Sequence, residues 1–138
     1  MITGYTAGVF DLFHIGHLNV LRNARALCDR LIVGVSTDEL VLASKGKGPT
    51  IPYRDRIEIV RACRYADTAL AQTDIDKYEA WRRLRFDVLF VGDDWFEHER
   101  WKDFERRLGE QGVSTVYLPH TADVSSTELR SVLKSVRS

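Results

Sequence analysis

The sequence predicts an α/β fold, a doubly wound and mainly parallel sheet of five strands flanked by helices, in one domain spanning residues 1–138. Two observations support this prediction. Apolar, strand-like runs alternate along the chain with segments whose apolar residues recur at helical spacing, which is the pattern of repeated βαβ units. Polar residues that could bind a ligand come directly after strand-like runs, where open α/β sheets form their binding sites.

The composition is that of an ordinary globular protein, with 44% hydrophobic and 29% charged residues. The formal net charge is zero, which argues against nucleic acid as a partner, so any anion site must come from local clustering. Cys28 and Cys63 fall on the apolar sides of predicted helices without CxxC spacing, and we expect reduced core residues. We find no signal peptide or long apolar run, and we therefore expect a cytoplasmic protein with no membrane partner.

Five segments rich in β-branched and apolar residues are predicted strands. The second of them, Arg30–Ser36, is a continuous apolar run, which is typical of a central strand covered on both faces. The five predicted strands are residues 1–7, 30–36, 68–71, 86–92 and 113–118.

The segments between the strands are predicted helices. Pro52 fits the first turn of a helix that runs to about Arg64, and Gly112 is a suitable residue to end the charged helix before the last strand. Ser125-x-x-Glu128 is a capping box that opens a final helix. The other predicted helices are one from about 17 to 28, a short helical turn over 37–40, and helices over 77–85 and 97–111.

The stretch Gly8–His17 joins the first strand to the first helix and contains two histidines three residues apart. Residues at that spacing share a helix face, so His14 and His17 can address one ligand. Gly16 lets a ligand approach the backbone closely, and a helix N-terminus favours negative charge. Such a pair alone is most often structural, and a zinc site would need further ligands that are not nearby. The third interpretation, phosphate binding, is favoured by the strand–turn–helix position.

Basic residues follow the second strand. Ser44–Thr50 predicts a flexible, glycine-punctuated loop that carries Lys45 and Lys47. It lacks the P-loop pattern, but a mobile two-lysine lid over phosphates is reasonable. Arg56 and Arg64 lie eight residues apart, and we expect them near the helix stripe that faces the sheet and its ligand. The alternative for exposed basic residues on a helix is simple solvation.

Two more clusters follow the fourth and fifth strands. Gly92-Asp93-Asp94-Trp95 could hold Mg²⁺ through its carboxylates, or these could cap the next helix. The Trp95 side chain could stack on a base or ribose, or cover the core. The segment Thr121–Thr127 brings hydroxyl and N–H groups to a helix start, where they form either an N-cap alone or a second anion-binding end.

Together these motifs make the chain resemble the small bacterial cytidylyltransferases, nearest to the glycerol-3-phosphate cytidylyltransferase group of the HxGH nucleotidyltransferase superfamily. The resemblance covers nearly the whole chain. It implies a Rossmann-like sheet, a homodimer, and the reaction of CTP with a phosphomonoester to give a CDP-linked product and pyrophosphate. The motifs that carry it are Gly8–His17, Val35–Glu39, Lys45 and Lys47, Arg56, Arg64–Asp67, Gly92–Trp95 and Ser125–Thr127.

The resemblance also implies roles for individual residues. His14 and His17 would hold the triphosphate and stabilise the transition state. Lys45 and Lys47 would bind the acceptor phosphate and the α-phosphate. Mg²⁺ is the implied cofactor, with Asp11 and Asp94 as weak candidate ligands. The implied nucleotide contacts are Val9, Phe10, Asp11, Arg56, Arg64, Gly92, Asp94, Trp95, Ser125, Ser126 and Thr127. The implied acceptor contacts are Thr37, Asp38, Lys45 and His120.

One position departs from the family pattern, because His120 stands where the last motif usually begins with arginine. A shorter, titratable group replaces a fixed cation. This puts glycerol 3-phosphate in doubt as the acceptor and makes another phosphate or a phosphonate credible. Two rival functions remain open: an adenylyltransferase that uses ATP, and a nucleotide-binding regulatory module without turnover.

Overall fold

A computed structural model describes residues 1–92 and 99–118, in which helices separate five strands, with two helices between the second and third strands and one in each other connection. The alternation predicted from the sequence is confirmed. The final helix predicted from the capping box at Ser125 lies outside the described residues. The elements are β1 (Thr3–Gly8), α1 (Ile15–Ala26), β2 (Arg30–Ser36), α2 (Asp38–Lys45), α3 (Tyr53–Ala62), β3 (Thr68–Gln72), α4 (Lys77–Leu84), β4 (Val88–Gly92), α5 (Glu99–Glu110) and β5 (Ser114–Leu118).

The strands form one sheet in the order β3-β2-β1-β4-β5, and every neighbouring pair is parallel. The chain moves outward from β1 through β2 to β3, then returns to the other side of β1 for β4 and β5. The order of the strands therefore reverses between β1 and β4. In doubly wound sheets this reversal opens a crevice at the carboxyl ends of the two strands. The loop that follows β1 and the carboxyl end of β4 border that crevice.

Helices cover both faces of the sheet and create two apolar layers. The layer under α1 and α3 includes Leu21, Ala24, Ile57 and Val60, packed on side chains from β2, β4 and β5. The opposite layer, under α4 and α5, includes Ala80, Trp81, Phe104 and Leu108, packed on β1, β2 and β4. This two-sided burial explains the near-continuous apolar run of β2.

Two local predictions were wrong. The segment after β2 is not only a helical turn, because α2 continues to Lys45 and ends at Gly46 in the left-handed conformation (φ 77°). Thr37 caps this helix and Val41 is buried beneath it, which favours a full two-turn helix over a loop. The cysteines also lie beyond the helices: Cys28 is buried just past α1, and Cys63 is the C-cap of α3. Both are free thiols, as expected.

Among the helices in the described ranges, none has the length and apolar character needed to cross a membrane.

Candidate active site

The loop between β1 and α1 holds two non-glycine residues in the left-handed region, Phe10 (φ 56°) and Leu12 (φ 51°). This conformation is unfavourable for residues with a Cβ and persists only where the surroundings fix it. The buried Phe10 ring supplies that fixation, since it packs in the core beneath α1 and α3. A nucleotide contact from Phe10, which stays a prediction, would therefore come from its backbone rather than its ring.

The two histidines at the start of α1 lie side by side, with ring centroids 4.0 Å apart and an interplanar angle of 24°. His14 is the N-cap, and its Nδ1 accepts a hydrogen bond from the Gly16 N–H at 2.9 Å. His17 Nδ1 accepts from the His14 N–H at 3.2 Å. Because each Nδ1 is an acceptor, each neutral ring carries its proton on Nε2. The sequence predicted the shared face, and the structure adds that each neutral ring carries a donor on Nε2, which is buried in His14.

Burial, and after it the neighbouring His14 ring, lowers the pKa of His17 to about 4, against the opposing effect of the Asp11 carboxylate. The His17 ring is therefore neutral at pH 7 in the unliganded protein. The rings of Phe10 and Phe13 pack against it at centroid distances of 5.6 and 5.4 Å. This apolar wall is the physical source of the desolvation.

Asp11 is buried and ties the loop after β1 to the segment before α3. Its carboxylate accepts hydrogen bonds from the Thr50 and Ile51 N–H groups, at 2.8 and 2.9 Å. The exposed segment 46–49 is thus fixed at one end by α2 and at the other by Asp11. The contact is structural. A role for Asp11 in binding nucleotide or metal stays a prediction.

Arg56 is fully buried and holds three carbonyl groups together. Its guanidinium donates to the carbonyl oxygens of Ile51, Val9 and Ser36 at 2.7–2.8 Å, and to Asp38 Oδ1 at 2.7 Å. The sequence placed Arg56 on the face toward the ligand. Arg56 does lie on the buried face of α3 with Val60, and there it joins the carboxyl ends of β1 and β2 to the start of α3. A contact with nucleotide stays a prediction. Its observed role is to position these loops.

The two predicted acceptor residues after β2 are also engaged by the protein. Thr37 Oγ1 accepts from the Leu40 N–H at 3.2 Å, as the cap of α2. The Asp38 carboxylate accepts from the Tyr53 N–H at 3.0 and 3.2 Å as well as from Arg56. Both stand at the carboxyl end of β2, so a contact with a ligand stays a prediction.

Lys45 and Lys47 flank Gly46 and are both exposed. Within the described ranges neither forms an ion pair with a carboxylate. Lys45 lies in the last turn of α2, and only Lys47 lies on the short segment between α2 and Thr50. The predicted flexible seven-residue loop is therefore reduced to a four-residue connection with both ends anchored.

Arg64 does not share a helix stripe with Arg56, because α3 ends at Ala62. Its guanidinium is exposed, donates to the Tyr65 hydroxyl at 2.9 Å and lies over the Tyr65 ring. Together with Phe13 it borders a groove of about 350 Å³ between α1 and α3. The prediction of a shared stripe from the eight-residue spacing was wrong because α3 is shorter than its apolar pattern suggested.

Sequence reasoning missed the turn after β3. Gln72 ends that strand and is buried, while Lys77 begins α4 at the same edge of the sheet. Burial lowers the pKa of Lys77 to about 8, against the opposing effect of Asp74 and Asp76. The rule that selected residues after the other strands applies equally to β3, and it would have identified this lysine.

Of the remaining predicted residues, one lies beside the crevice and the others lie outside the described ranges. Gly92 ends β4 beside the crevice. The described residues contain no group of three or more His, Cys, Asp or Glu side chains arranged to hold a metal ion. Six predicted residues lie outside the described ranges: Asp94, Trp95, His120, Ser125, Ser126 and Thr127.

Comparison with known proteins identifies the family. A model of the cytidylyltransferase-like family matches residues 5–132. FAD synthase of Pyrococcus abyssi is 34% identical over 131 residues, which are 94% of this chain and 88% of that protein. Ethanolamine-phosphate cytidylyltransferase of Dictyostelium discoideum is 36% identical over 126 residues, which are 91% of this chain but only 34% of that longer protein.

Solved structures agree on the fold. A lipopolysaccharide core biosynthesis protein from Thermoplasma volcanium superposes with a TM-score of 0.72 at 21% identity, covering 88% of this chain and 97% of that one. TmcAL of Thermotoga maritima, bound to α-thio ATP, gives 0.67 at 17% identity over 99% of this chain and 51% of that one. The sequence match covers the sheet, the histidine pair and the crevice between β1 and β4. The chain belongs to the cytidylyltransferase-like family of nucleotidyltransferases.

Proposed function

We propose that this protein transfers CMP from CTP to a small phosphorylated or phosphonate acceptor and releases pyrophosphate. The observation that carries the proposal is the histidine pair, two stacked imidazoles at the start of α1 whose Nδ1 atoms both accept hydrogen bonds, so that Nε2 is the donor of each neutral ring. The pair stands where strand order reverses, in a chain of the cytidylyltransferase-like family. The ethanolamine-phosphate cytidylyltransferase relatives favour CTP and a phosphorylated acceptor.

The proposed reaction needs alignment and charge stabilisation more than a protein nucleophile. An acceptor phosphate has a second pKa of about 6, so it is already nucleophilic near neutral pH. It attacks the α-phosphorus, the bond to the β-phosphate bridging oxygen breaks, and pyrophosphate leaves with that electron pair. The Nε2–H groups of His14 and His17 would donate to phosphate oxygens as negative charge builds on them. The positive end of the α1 dipole would add to this.

Three lysines would supply positive charge beside the histidine pair. Lys45 and Lys47 are exposed beside the segment that Asp11 anchors. Lys77 begins α4 at the carboxyl-terminal edge of the sheet, with its pKa lowered by burial. A dianionic acceptor near this ammonium would favour its charged form and would gain binding energy in return. We therefore assign Lys77 to the acceptor side.

Mg²⁺ remains part of the proposal as a companion of the nucleotide. The described residues form no cage of their own for a metal, and Mg²⁺ is commonly held by substrate phosphates and one or two carboxylates. Asp11 fits poorly as a ligand because its carboxylate already accepts two backbone N–H groups. When bound, the ion would neutralise charge on the triphosphate.

Adenylyl transfer from ATP is the second candidate, and the FAD synthase relatives favour it. Several of them are 34–40% identical over most of this chain. Flavin adenine dinucleotide contains an adenylate group, which points to ATP as the nucleotide and a flavin phosphate as the acceptor. The contacts among the described residues hold the loops at the carboxyl ends of the strands in place, and they fit both candidates equally.

Pyrophosphate release tests both candidates together. The full chain is incubated with CTP or ATP, each with glycerol 3-phosphate, ethanolamine phosphate, a small phosphonate or FMN, and products are identified by mass. We expect turnover with CTP and one of the small acceptors. Turnover only with ATP and FMN would replace the proposal by the second candidate. Nucleotide binding without pyrophosphate from any combination would favour a regulatory module. Sedimentation of the same preparation tests the proposed homodimer.

Nucleotide should protect the two exposed lysines. If Lys45 and Lys47 contact phosphates, an amine-reactive reagent should modify them at least several-fold more slowly when CTP is present, because the amines become occupied and shielded. Peptide mass spectrometry measures both sites, and the exposed α-amino group of Met1, which precedes β1 at the opposite end of the strands, serves as the control. Equal labelling with and without nucleotide would leave them as solvated side chains.

A further inference from the structure

A buried chain of hydrogen bonds runs across the sheet from the central strand to the turn after β3. Tyr5 in β1 is fully buried, and its hydroxyl donates to Gln72 Oε1 at the end of β3. Gln72, also buried, donates through Nε2 to the carbonyl oxygen of Asp74 in the turn. Polar groups at this depth need partners, and here the two side chains supply them for each other and for the turn.

The chain of bonds can cross because β2 carries Gly34 at the crossing point. Neighbouring strands lie about 4.8 Å apart, and β2 separates β1 from β3. A Cβ at Gly34 would lie 3.0 Å from Gln72 Oε1 and closer still to the Tyr5 hydroxyl. Any side chain there would block the bond. Gly34 thus leaves the passage through which Tyr5 reaches a strand two positions away.

The last hydrogen bonds of this series lie at the start of α4. Asp74 Oδ1 accepts from the Asp76 N–H at 2.9 Å. Asp76 in turn caps α4, accepting from the N–H groups of Tyr78 and Glu79 at 2.9 and 3.3 Å. Lys77 is the first residue of that helix. Hydrogen bonds therefore connect the core to the N-cap of the helix that Lys77 begins.

Packing alone does not require the Tyr5 hydroxyl. The Tyr5 ring stacks on Phe86 with centroids 4.9 Å apart and an interplanar angle of 12°, a contact that phenylalanine would keep. Burial raises the pKa of Tyr5, so the hydroxyl keeps its proton and remains a donor. What the hydroxyl adds to the ring is its hold on Gln72.

We propose that Tyr5 and Gln72 are positioning residues for the acceptor side of the site, acting by fixing the β3–α4 turn and with it the ammonium of Lys77. The effect is on where the cation stands, and the two residues do not touch the substrate themselves. The inference rests on the proposed function for the statement that an acceptor phosphate meets Lys77.

Tyr5→Phe tests the proposal against Thr6→Val as the matched control. Thr6 is the next residue of β1, and its buried hydroxyl donates to the Phe90 carbonyl oxygen at 3.1 Å, on the side of β4. Each variant loses one buried hydroxyl of the same strand. Hydrogen exchange of the amides in 72–78 is measured first, followed by KM for CTP, KM for the acceptor and kcat.

We expect Tyr5→Phe, but not Thr6→Val, to speed amide exchange in 72–78. It should also raise the acceptor KM by about tenfold, because a misplaced binding group weakens one substrate selectively, while KM for CTP changes less than twofold. Gln72→Leu, which removes the same bond from its other partner, should reproduce this pattern, and Lys77→Met should raise the acceptor KM at least as much.

Three results would overturn the proposal. These are unchanged exchange in 72–78 for Tyr5→Phe, an equal rise of acceptor KM in both hydroxyl variants, or a normal acceptor KM for Lys77→Met. The exchange comparison needs no substrate. If the wild-type protein used none of the acceptors, the proposed function would fail while the exchange comparison would still judge whether Tyr5 positions the turn.

Discussion

Aspartate side chains play different roles at the amino-terminal edge of the sheet, where the strands begin, and at the carboxyl-terminal edge, where they end. At the amino-terminal edge, exposed carboxylates accept N–H groups from residues at or beside the strand starts, as Asp29 does from Ile2 at 2.6 Å and Asp87 from Thr3 at 2.9 Å. At the carboxyl-terminal edge, Asp11 is buried and holds a separate loop through two N–H groups. A hydrogen bond from a backbone N–H to an aspartate fixes the start of a strand at the amino-terminal edge. At the carboxyl-terminal edge the same kind of bond holds a loop beside the crevice.

Burial explains why losing a carboxylate should cost more stability at the carboxyl-terminal edge than at the amino-terminal edge. An exposed carboxylate that loses its partner is solvated by water, so its bond contributes little to stability. A buried one leaves unpaired groups behind when it is changed. The carboxyl-terminal edge also holds the buried Arg56, the left-handed Phe10 and Leu12, and the neutral His17. Costly arrangements are concentrated where the ligand crevice lies, as expected for a functional edge.

The largest effect should come from the histidine pair at the carboxyl-terminal edge. His14→Ala and His17→Ala should each lower kcat by roughly two to three orders of magnitude, the scale for losing one preorganised donor to a developing charge. Steady-state pyrophosphate release measures this, and thermal unfolding verifies that each variant is folded. Near-normal turnover in both variants would remove the pair from the chemistry. Loss of bound zinc would return it to the metal interpretation.

The second effect is on stability as a function of pH. The unfolded chain binds a proton on His17 near pH 6.5, whereas the folded chain does so only near pH 4. Between these values the unfolded state binds more protons, so stability should fall as the pH is lowered from 6.5 to 4, by up to about 3 kcal/mol. Denaturant unfolding measures the loss, which should be smaller in His17→Gln. Parallel pH curves for the two proteins would contradict this.

The sequence predicted the layers, the five strands and the histidine site because each depends on local patterns. Apolar runs identify strands. The three-residue spacing of His14 and His17 predicted a shared helix face, and their rings do lie side by side at the start of α1. The sequence alone could not predict what Arg56 binds. Val9 is 47 residues away, and the contact is made only once β1 and β2 are neighbours. The periodicity of α3 suggested a stripe through Arg64, but the helix stops two residues earlier.

A smaller effect is expected from Asp11→Asn at the carboxyl-terminal edge, whose matched substitution at the amino-terminal edge is Asp87→Asn. An amide offers one acceptor oxygen where the carboxylate offers two, so either the Thr50 or the Ile51 N–H would face another donor. We expect a loss of about 1–3 kcal/mol in the free energy of unfolding and faster amide exchange in 46–51. Activity should fall too, since the anchored segment carries Lys47. Unchanged exchange in 46–51 would show that the anchor lies elsewhere.

The smallest effect should come from Asp87→Asn at the opposite edge. Asp87 accepts the Thr3 N–H from an exposed position, and the amide oxygen of asparagine can accept the same bond. The free energy of unfolding should change by less than about 1 kcal/mol. KM and kcat should stay within twofold of wild type, because Asp87 precedes β4 and lies at the opposite end of the strand from the crevice. A loss as large as that of Asp11→Asn, in stability or in turnover, would mean that the two edges are coupled through β1, and exposure would then no longer explain why similar carboxylates matter differently.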